Sequence, residues 1–262
     1  MRFKLSEITP GRIVEAISRR VKGLPNAMAW QSASDMKDKI RSFHNIHKGQ
    51  RCFVIANGPS LKHTNLSLLK DEYSIGMNRI YLLFNETFKT TYHAVINELV
   101  IEQFRDELAE LECTKFIDWK KRDLFKGTDM NMLYISQALD DGFSADLSEK
   151  VYSGGTVTYV CLQLAYYMGF SEVVLIGLDH SFKDKGTPNK TEVRSGDDDN
   201  HFHPNYFPKG VKWQLPDLLR SELAYEKARK AFEKDNRKII DATIGGHCTV
   251  FEKADYNSLF SK

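Results

Sequence analysis

Residues 153–182 read SGGTVTYVCLQLAYYMGFSEVVLIGLDHSF, and this stretch decides the fold class. Apolar or small side chains recur in it at spacings of three and four residues, which predicts a helix with one buried face over residues 157–168. Gly169 is expected to end that helix, because glycine adopts the left-handed cap conformation at little cost. Four apolar residues, 173–176, then predict a central strand that is covered on both faces.

Short polar segments flank this helix and this strand. Ser153-Gly154-Gly155-Thr156 precedes the helix, and Gly177-Leu178-Asp179-His180 follows the strand. Ligands of open α/β sheets bind where strands end and helices begin, and glycines ahead of a helix let backbone N–H groups approach an anion. We therefore expect the two segments to form two walls of one pocket.

Composition excludes several classes of protein. The 262 residues are 42% hydrophobic and 27% charged, which is ordinary for a globular chain. No apolar run approaches the roughly 18 residues of a membrane helix, and the amino terminus lacks the apolar core of a signal peptide, so we expect a cytoplasmic protein. A net charge of +2 gives no reason to expect nucleic acid as a partner. The widely spaced cysteines are predicted to be buried thiols rather than zinc ligands or disulfides: Cys52, Cys113, Cys161 and Cys248.

Strands and helices alternate along the rest of the chain. An apolar strand over residues 52–56 leads into the turn Asn57-Gly58-Pro59-Ser60, which is typical of the start of a nucleotide-binding unit. Because a GxGxxG fingerprint and a GK[ST] motif are both missing, the pattern disfavours NAD, FAD and a P-loop. Further strands are predicted at 73–77, 92–96, 115–119, 132–136 and 238–242, and helices near 66–69, at 100–111 and at 216–234.

This alternation predicts an α/β fold, a Rossmann-like and mostly parallel sheet flanked by helices. We expect one such domain over residues 41–262. Residues 1–40 are expected to be a basic amphipathic helical appendage, which packs on its own domain or rests on an anionic membrane surface. One face of that helix is apolar and the rest is basic: Ile13, Val14, Ile17 and Val21, against Arg12, Arg19, Arg20 and Lys22.

Residues 183–207, which we call the lid segment, begin without apolar periodicity. Residues 183–200 are rich in Gly, Pro, Asn, Ser and Asp, which predicts a mobile loop that closes over a site. The segment ends in His201-Phe202-His203-Pro204-Asn205-Tyr206-Phe207. Either histidine could accept a proton from a substrate hydroxyl, or could instead hold its own turn.

Each polar residue that follows a strand has both a functional and a structural interpretation. Asn57, Asn78 and Asn97 all follow predicted strands and suit the edge of a base or a ribose, although a single asparagine there is usually turn chemistry. Asp179 could bind a ribose hydroxyl, ligate magnesium or cap a turn. The acidic run 197–199 could hold a metal or form a solvated loop.

Three blocks together resemble one known family. They are FVIANGPSLK at 53–62, the SGG-helix-MGF-strand-GLDHSF block at 153–182, and DNHF at 199–202. The chain is similar over about residues 51–206 to bacterial sialyltransferases that use CMP-activated nine-carbon sugars, and to a related group of 6-hydroxymethyl-dihydropterin diphosphokinase-like proteins. The tail IIDATIGG…VFEKADYNSLF resembles the surface-polysaccharide glycosyltransferases of this group.

The resemblance implies roles for particular residues. It makes His201, and otherwise His203, the general base on the acceptor hydroxyl, without a required cofactor or metal. Where that family presents tyrosines to the leaving phosphate, this chain has Ser181 and Phe182, and Tyr206 could substitute. The implied nucleotide and donor contacts are Asn57, Gly58, Ser60, Asn78, Asn97, Ser153, Gly155, Thr156, Gly177, Leu178, Asp179, Ser181 and Tyr206.

The function expected from the resemblance is an inverting glycosyltransferase. It would move a CMP-activated nonulosonic or related acidic sugar onto a surface-glycan acceptor, as in lipopolysaccharide or capsule biosynthesis, at the inner face of the membrane. One alternative is a 6-hydroxymethyl-dihydropterin diphosphokinase, in which Asp179 and residues 197–199 would hold Mg²⁺. A third is a nucleotide-binding protein without turnover. The sequence leaves open whether the chain forms a homo-oligomer.

Overall fold

The computed structural model describes residues 10–128, 131–184 and 186–260. In the first helix it describes the side chains of residues 18, 21 and 23 onward. The predicted amphipathic face and its basic flank, other than Val21, therefore lie outside the described side chains.

An eight-stranded sheet forms the centre of the molecule, and all of its strand pairs are parallel. The strand order β10-β9-β6-β1-β2-β3-β4-β5 means that the chain first builds outward from β1 in one direction and then returns to build in the other. The predicted α/β, Rossmann-like sheet is therefore confirmed. The strands are β1 Arg51–Ile55, β2 Tyr73–Met77, β3 Tyr92–Val95, β4 Thr114–Asp118, β5 Met132–Ile135, β6 Glu172–Ile176, β9 Lys238–Asp241 and β10 Glu252–Lys253.

Strands β1 and β6 are neighbours at the point where the strand order reverses. Val54 is in register with Leu175, and both are fully buried, as the unbroken apolar runs predict. In open α/β sheets, the reversal leaves a crevice beyond the carboxyl ends of the two strands. Here the segments beyond those ends are the Asn57-Gly58 turn and residues 177–180.

In the part of the chain that the structure describes, six α-helices pack around this sheet: α1 Pro10–Gln31, α2 Ser34–Arg41, α3 Glu98–Gln103, α4 Arg105–Ala109, α5 Val157–Tyr167 and α6 Leu218–Lys234. The single helix predicted over residues 100–111 is interrupted at Phe104, whose backbone leaves the helical conformation. The helical segment predicted near residues 66–69 is a 3₁₀ turn, Leu66–Leu69.

Helix α5 differs from its prediction in one respect. It begins and ends within a residue of the expected bounds, and Gly169 follows it with a positive φ of 91°. However, every residue of α5 except Tyr166 is buried, so the helix is covered all round rather than on one face. The reason is that α5 packs on β1 and β2 while α6 covers its other side.

The lid segment is more ordered than its composition indicates. Thr191–Val193 forms strand β7, which pairs antiparallel with strand β8, Lys212–Gln214. The prediction of an unstructured loop over residues 183–200 was therefore wrong at this strand. The pattern is hard to see in sequence because a three-residue ribbon with two exposed positions carries almost no apolar periodicity.

Residues ahead of position 41 contribute to the core. Trp30 and Ile40 are buried in the core, and the Trp30 ring meets Trp119 edge-on at a centroid distance of 5.2 Å. The Trp119 indole N–H also donates to the backbone oxygen of Asn26. The end of α1 therefore packs on the domain, as one of the two alternatives for this helix has it. No helix in the described parts of the chain is long and apolar enough to cross a bilayer.

The four cysteines are free thiols, and three of them are buried. Burial raises the pKa of the Cys161 thiol well above its usual value. Cys52, Cys161 and Cys248 are therefore buried as predicted, whereas Cys113 is partly buried.

Candidate active site

A cavity of about 640 Å³ opens at the carboxyl edge of the sheet, between the ends of the strands and the first turns of α5 and α6. It lies at the reversal between β1 and β6, where such folds bind ligands. Of the predicted site residues, Ser60 and His203 lie outside its lining. The others line it: Asn57, Gly58, Asn78, Asn97, Ser153, Gly155, Thr156, Gly177, Leu178, Asp179, Ser181, His201 and Tyr206.

His201 is paired with a buried carboxylate. Its Nδ1 lies 2.8 Å from Oδ2 of Asp198, whose side chain is completely buried. Since the carboxylate only accepts, the proton of a neutral ring is held on Nδ1 and the lone pair is left on Nε2. The ring lines the cavity, and no described residue bonds Nε2. This pair has the arrangement of a general base with its orienting acid.

Asp198 stays ionised in this buried position. Burial alone would raise the pKa of its carboxyl group, but the hydrogen bond and charge of His201, the amide of Asn200 and the charge of Arg194 together hold the pKa below its usual value. An ionised partner stabilises the imidazolium that forms when His201 accepts a proton. The pairing was missed in the sequence because three successive aspartates read as a solvated loop, and only the middle one is buried.

Buried polar contacts hold the lid segment in place. Arg194 pairs with Asp184 at 2.9 Å and with Asp198 at 3.5 Å, and its guanidinium lies 4.3 Å from the ring centre of Trp213 on β8. Asn200 donates from its side chain to Asp184 and accepts from the backbone of Lys183. These contacts connect residues 194–200 to the start of the lid segment and to β8.

Tyr206 supports His201 from one side. The two rings are stacked with centroids 4.0 Å apart and planes 6° apart. The tyrosine is completely buried, and its hydroxyl accepts from the backbone N–H of Arg79. Burial raises the pKa of Tyr206 well above its usual value, so the hydroxyl stays protonated. In this geometry Tyr206 supports the His201 ring, and its hydroxyl accepts from the Arg79 backbone.

His203 takes a different position from His201. Its Nδ1 accepts from the backbone N–H of Asn205 at 3.1 Å, so the ring holds the turn. The structure therefore separates the two histidines that the sequence left as alternatives, and only His201 lines the cavity.

Asp179 is engaged by the first turn of the fold. Both oxygens accept from Ser60, one from its backbone N–H at 3.0 Å and the other from its hydroxyl at 2.6 Å. Gly58 lies so close that a Cβ there would overlap the Asp179 carboxylate and lie 2.7 Å from the backbone oxygen of Gly177. Ser60 therefore acts on the site through Asp179, which joins the ends of β1 and β6.

The three strand-end asparagines have different environments. Asn97 caps α3, because its side-chain oxygen accepts from the N–H groups of Leu99 and Val100. By contrast, the side-chain oxygens of Asn57 and Asn78 are buried and have no hydrogen-bond partner in the described parts of the chain. Buried acceptors are rarely left unpaired, so these two atoms call for donors from a ligand.

A buried histidine supports Asn78. The backbone of Asn78 has a positive φ of 49°, and its carbonyl accepts from Nε2 of His93 at 2.8 Å. Burial lowers the pKa of His93 to about 4, so this ring is neutral. It fixes the turn that presents the Asn78 amide to the cavity.

The amino end of α5 forms the wall opposite the strand ends. Gly154 and Gly155 have positive φ values of 54° and 80°, and Thr156 caps the helix by accepting from the N–H of Thr158. The first-turn residues therefore present backbone N–H groups to the cavity, which suits an anion.

Lys120 and Arg220 were not singled out from the sequence, and His180 was named there only as part of the predicted pocket wall at residues 177–180. His180 is paired with Glu222 of α6 at 2.9 Å, and two cations, Lys120 and Arg220, also line the cavity. Only the position of His180 next to Asp179 could have indicated it. Glu222 and Arg220 come from a helix whose sequence reads as an ordinary amphipathic surface helix.

The residues proposed for magnesium do not gather around one point. Among the described residues, no three His, Cys, Asp or Glu side chains are placed to share a metal ion. Asp179 is bound by Ser60, Asp198 by His201 and Arg194, and Asp199 by Lys183. These three carboxylates are therefore engaged by separate protein partners, whereas Asp197 is exposed.

Comparisons with known proteins give one family and a distant likeness in fold. A family model described as 6-hydroxymethylpterin diphosphokinase MptE-like matches residues 29–185. No curated protein sequence matches the chain. Two solved structures of the sialyltransferase CstII from Campylobacter jejuni are similar at 13% identity. The complex with the substrate analogue CMP-3FNeuAc has a TM-score of 0.48 and covers 81% of this chain and 88% of that one. The complex with cytidine-5'-monophosphate has a TM-score of 0.39 and covers 73% and 79%.

Proposed function

The chain belongs to the 6-hydroxymethylpterin diphosphokinase MptE-like family, whose model matches more than half of it, and we propose that this member is an inverting glycosyltransferase. Its donor is a nucleotide-activated sugar, a CMP-linked nonulosonic or related acidic sugar. Its acceptor is a hydroxyl group of a surface glycan. The observation that carries the proposal is the His201–Asp198 pair in the cavity at the β1–β6 reversal.

The reaction follows from the free nitrogen of His201. Nε2 accepts the proton of the acceptor hydroxyl while Asp198 stabilises the resulting imidazolium. The acceptor oxygen then bonds to the anomeric carbon as the bond from that carbon to the donor's phosphate oxygen breaks. The electron pair of the broken bond leaves with the nucleotide phosphate. A single displacement of this kind inverts the anomeric configuration.

The nucleotide would lie along the strand ends. The unpaired side-chain oxygens of Asn57 and Asn78 accept hydrogen bonds, which the amino group of cytosine or a ribose hydroxyl can donate. The N–H groups at the start of α5 face the phosphate. Lys120 is a cation in the lining that can pair with the carboxylate of an acidic sugar, and Arg220, which is also paired with Asp141 at 2.9 Å, is a second.

The amino-terminal helix supports a place near membrane-bound acceptors. Val21, Leu24 and Met28 lie three and four residues apart on α1 and are 58%, 54% and 70% exposed. Four basic residues occur nearby in the sequence, at positions 12, 19, 20 and 22. A helix with an exposed apolar stripe and a sequence rich in basic residues is typical of segments that lie on anionic lipid.

A second candidate is the diphosphokinase that the family description names. It also requires deprotonation of a hydroxyl, which His201 could perform. It requires MgATP as donor, whereas the carboxylates in and around the cavity are engaged by protein partners. The engagement of these carboxylates therefore favours the transfer of a sugar over the transfer of a diphosphate.

The test is calorimetric binding of CMP, CDP, UDP, GDP and ATP, each with and without Mg²⁺, followed by release of CMP from CMP-sugars. We expect CMP to bind without metal. We also expect His201→Ala to lower CMP release by about 10²- to 10⁴-fold while CMP affinity is kept. His203→Ala is the matched control. Binding of ATP alone, and only with Mg²⁺, would favour the diphosphokinase, and binding of CMP without any turnover would indicate a nucleotide-binding protein.

A further inference from the structure

The cavity contains a second histidine–carboxylate pair, on elements other than those that hold His201. His180 follows Asp179 at the end of β6, and its Nε2 lies 2.9 Å from Oε1 of Glu222 on α6. His201, in contrast, lies in the lid segment, whose backbone bonds the Asn57 carbonyl through the N–H of Phe202. The two pairs thus face the cavity from different walls.

His180 has a backbone conformation that is unusual for a residue other than glycine. Its backbone φ is 54°, in the left-handed region that a residue with a Cβ rarely adopts. Its side chain is only 6% exposed and lines the cavity, while Glu222 holds its Nε2. Strained residues of this kind cluster where a ligand is bound.

The neighbours of His180 place it beside the anion-binding wall. The ring of Tyr225 lies 6.1 Å from the His180 ring, centroid to centroid. The hydroxyl of the same tyrosine is hydrogen-bonded to Thr156 and Thr158, the cap and first turn of α5. One aromatic ring therefore separates His180 from the N–H groups at the start of this helix.

The chemistry of the pair suits an anion. Because Glu222 is a carboxylate, the proton on Nε2 is directed towards it, and Nδ1 has no hydrogen-bond partner among the described residues. A phosphate on the Nδ1 side would place the ring between two anions, and only the doubly protonated ring can donate to both. That ring donates from Nδ1 as well and carries the charge that complements a phosphate.

We propose that His180, oriented by Glu222, binds the phosphate of the nucleotide donor together with the amino end of α5. The ring donates a hydrogen bond to a non-bridging phosphate oxygen. It stabilises the negative charge that collects on the phosphate when the bond to the sugar breaks. This inference rests on the proposed function for the identity of the nucleotide, but it assigns a phosphate contact to whichever nucleotide binds. It divides the site into a base on the lid segment and a phosphate-binding histidine on the sheet.

The test compares a nucleotide with its nucleoside. We expect His180→Gln to weaken CMP binding on the order of 10- to 100-fold, as the loss of one charged hydrogen bond predicts, and to leave cytidine affinity within about twofold. Glu222→Gln should also weaken CMP binding, but by a smaller factor. His203→Gln and Glu226→Gln, which change an exposed turn and the exposed next turn of α6, should change neither affinity.

The possible outcomes distinguish the His180 phosphate contact from the proposed glycosyltransferase activity. Equal affinities of wild type and His180→Gln for CMP, or an equal loss for CMP and cytidine, would overturn the phosphate contact and leave the glycosyltransferase standing. If wild type binds ATP and not CMP, the donor proposal fails, and the same comparison with ATP and adenosine decides on His180. If no nucleotide binds, both are overturned. Should His180→Gln not fold, Glu222→Gln carries the same comparison.

Discussion

The imidazole of His201 lies flat on the ring of Tyr206, with 4.0 Å between the centroids. Stacked aromatic pairs contribute about 0.5–1.5 kcal/mol beyond their burial, and they fix ring orientation. Since the tyrosine hydroxyl points to the Arg79 backbone, we expect Tyr206→Phe to keep CMP release within a few-fold of wild type. Tyr206→Leu should lower it by about tenfold, which corresponds to that stacking energy. If the two variants lose activity equally, the hydroxyl itself takes part in the reaction.

Asp198 is expected to be required for turnover, and its neighbour Asp197 is not. Asp198→Asn removes the charge that orients His201, and we expect CMP release to fall by about 10²-fold or more. Asp197→Asn, at the exposed preceding position, should be neutral. Steady-state rates of both variants give the answer, and equal rates would remove Asp198 from the mechanism.

The same carboxylate should make stability depend on pH. Because the pKa of Asp198 in the folded protein is lower than its ordinary value of 3.8, its contribution is complete above that value and is lost as the pH falls through the folded pKa. Melting temperatures measured from pH 6 down to pH 3 should therefore show the gap between wild type and Asp198→Asn closing at the acid end. A gap that stays constant over this range would mean that the carboxylate pairing does not stabilise the fold.

Arg194 is expected to hold the lid segment. Arg194→Met leaves Asp198 buried without its cation, and breaking such a pair costs about 3 kcal/mol or more. Lys183→Met removes an ion pair in which both side chains are exposed, and should change the unfolding free energy by about 1 kcal/mol or less. Denaturant unfolding, with limited proteolysis between residues 183 and 200, measures both. Equal effects would show that the buried network is not what orders the segment.

Gly58 and Gly196 form a matched pair of glycine positions. A Cβ at Gly58 would overlap the Asp179 carboxylate, so Gly58→Ala should cost about 1–3 kcal/mol and weaken CMP binding. A Cβ at Gly196 would have no atom within 4 Å, so Gly196→Ala should be near neutral. Chemical denaturation and calorimetry of the two variants test the prediction. A stable Gly58→Ala protein with normal affinity would mean that Asp179 can move without effect on the site.

The exposed stripe of α1 should govern attachment to lipid. Replacing Val21, Leu24 and Met28 together by Ser should abolish co-sedimentation with vesicles that contain anionic lipid. Ile46→Ser, at an exposed apolar residue outside this helix, is the control. If the wild-type chain does not sediment with such vesicles, the stripe has another partner and the membrane proposal fails.

Much of the fold could be read from local patterns. In a strand such as β6, residues 173–176 are buried on both faces and must be apolar, and a glycine such as Gly169 marks a helix end through its backbone alone. The short ribbon of β7 and β8 and the docking of Trp30 were not visible. They depend on single contacts to distant segments rather than on periodicity.

The sequence by itself determined the order of strands and helices, and therefore which segments lie at the carboxyl edge of the sheet. Only the tertiary structure decided which side chains line the cavity there and which of them pair. It selected His201 over His203 through a buried aspartate, joined Asp179 to Ser60 across 119 residues, and paired His180 with Glu222 across 42. Apolar periodicity in a sequence indicates which face of a segment is buried. A hydrogen bond between distant residues depends on where the folded chain brings two polar atoms within about 3 Å of each other.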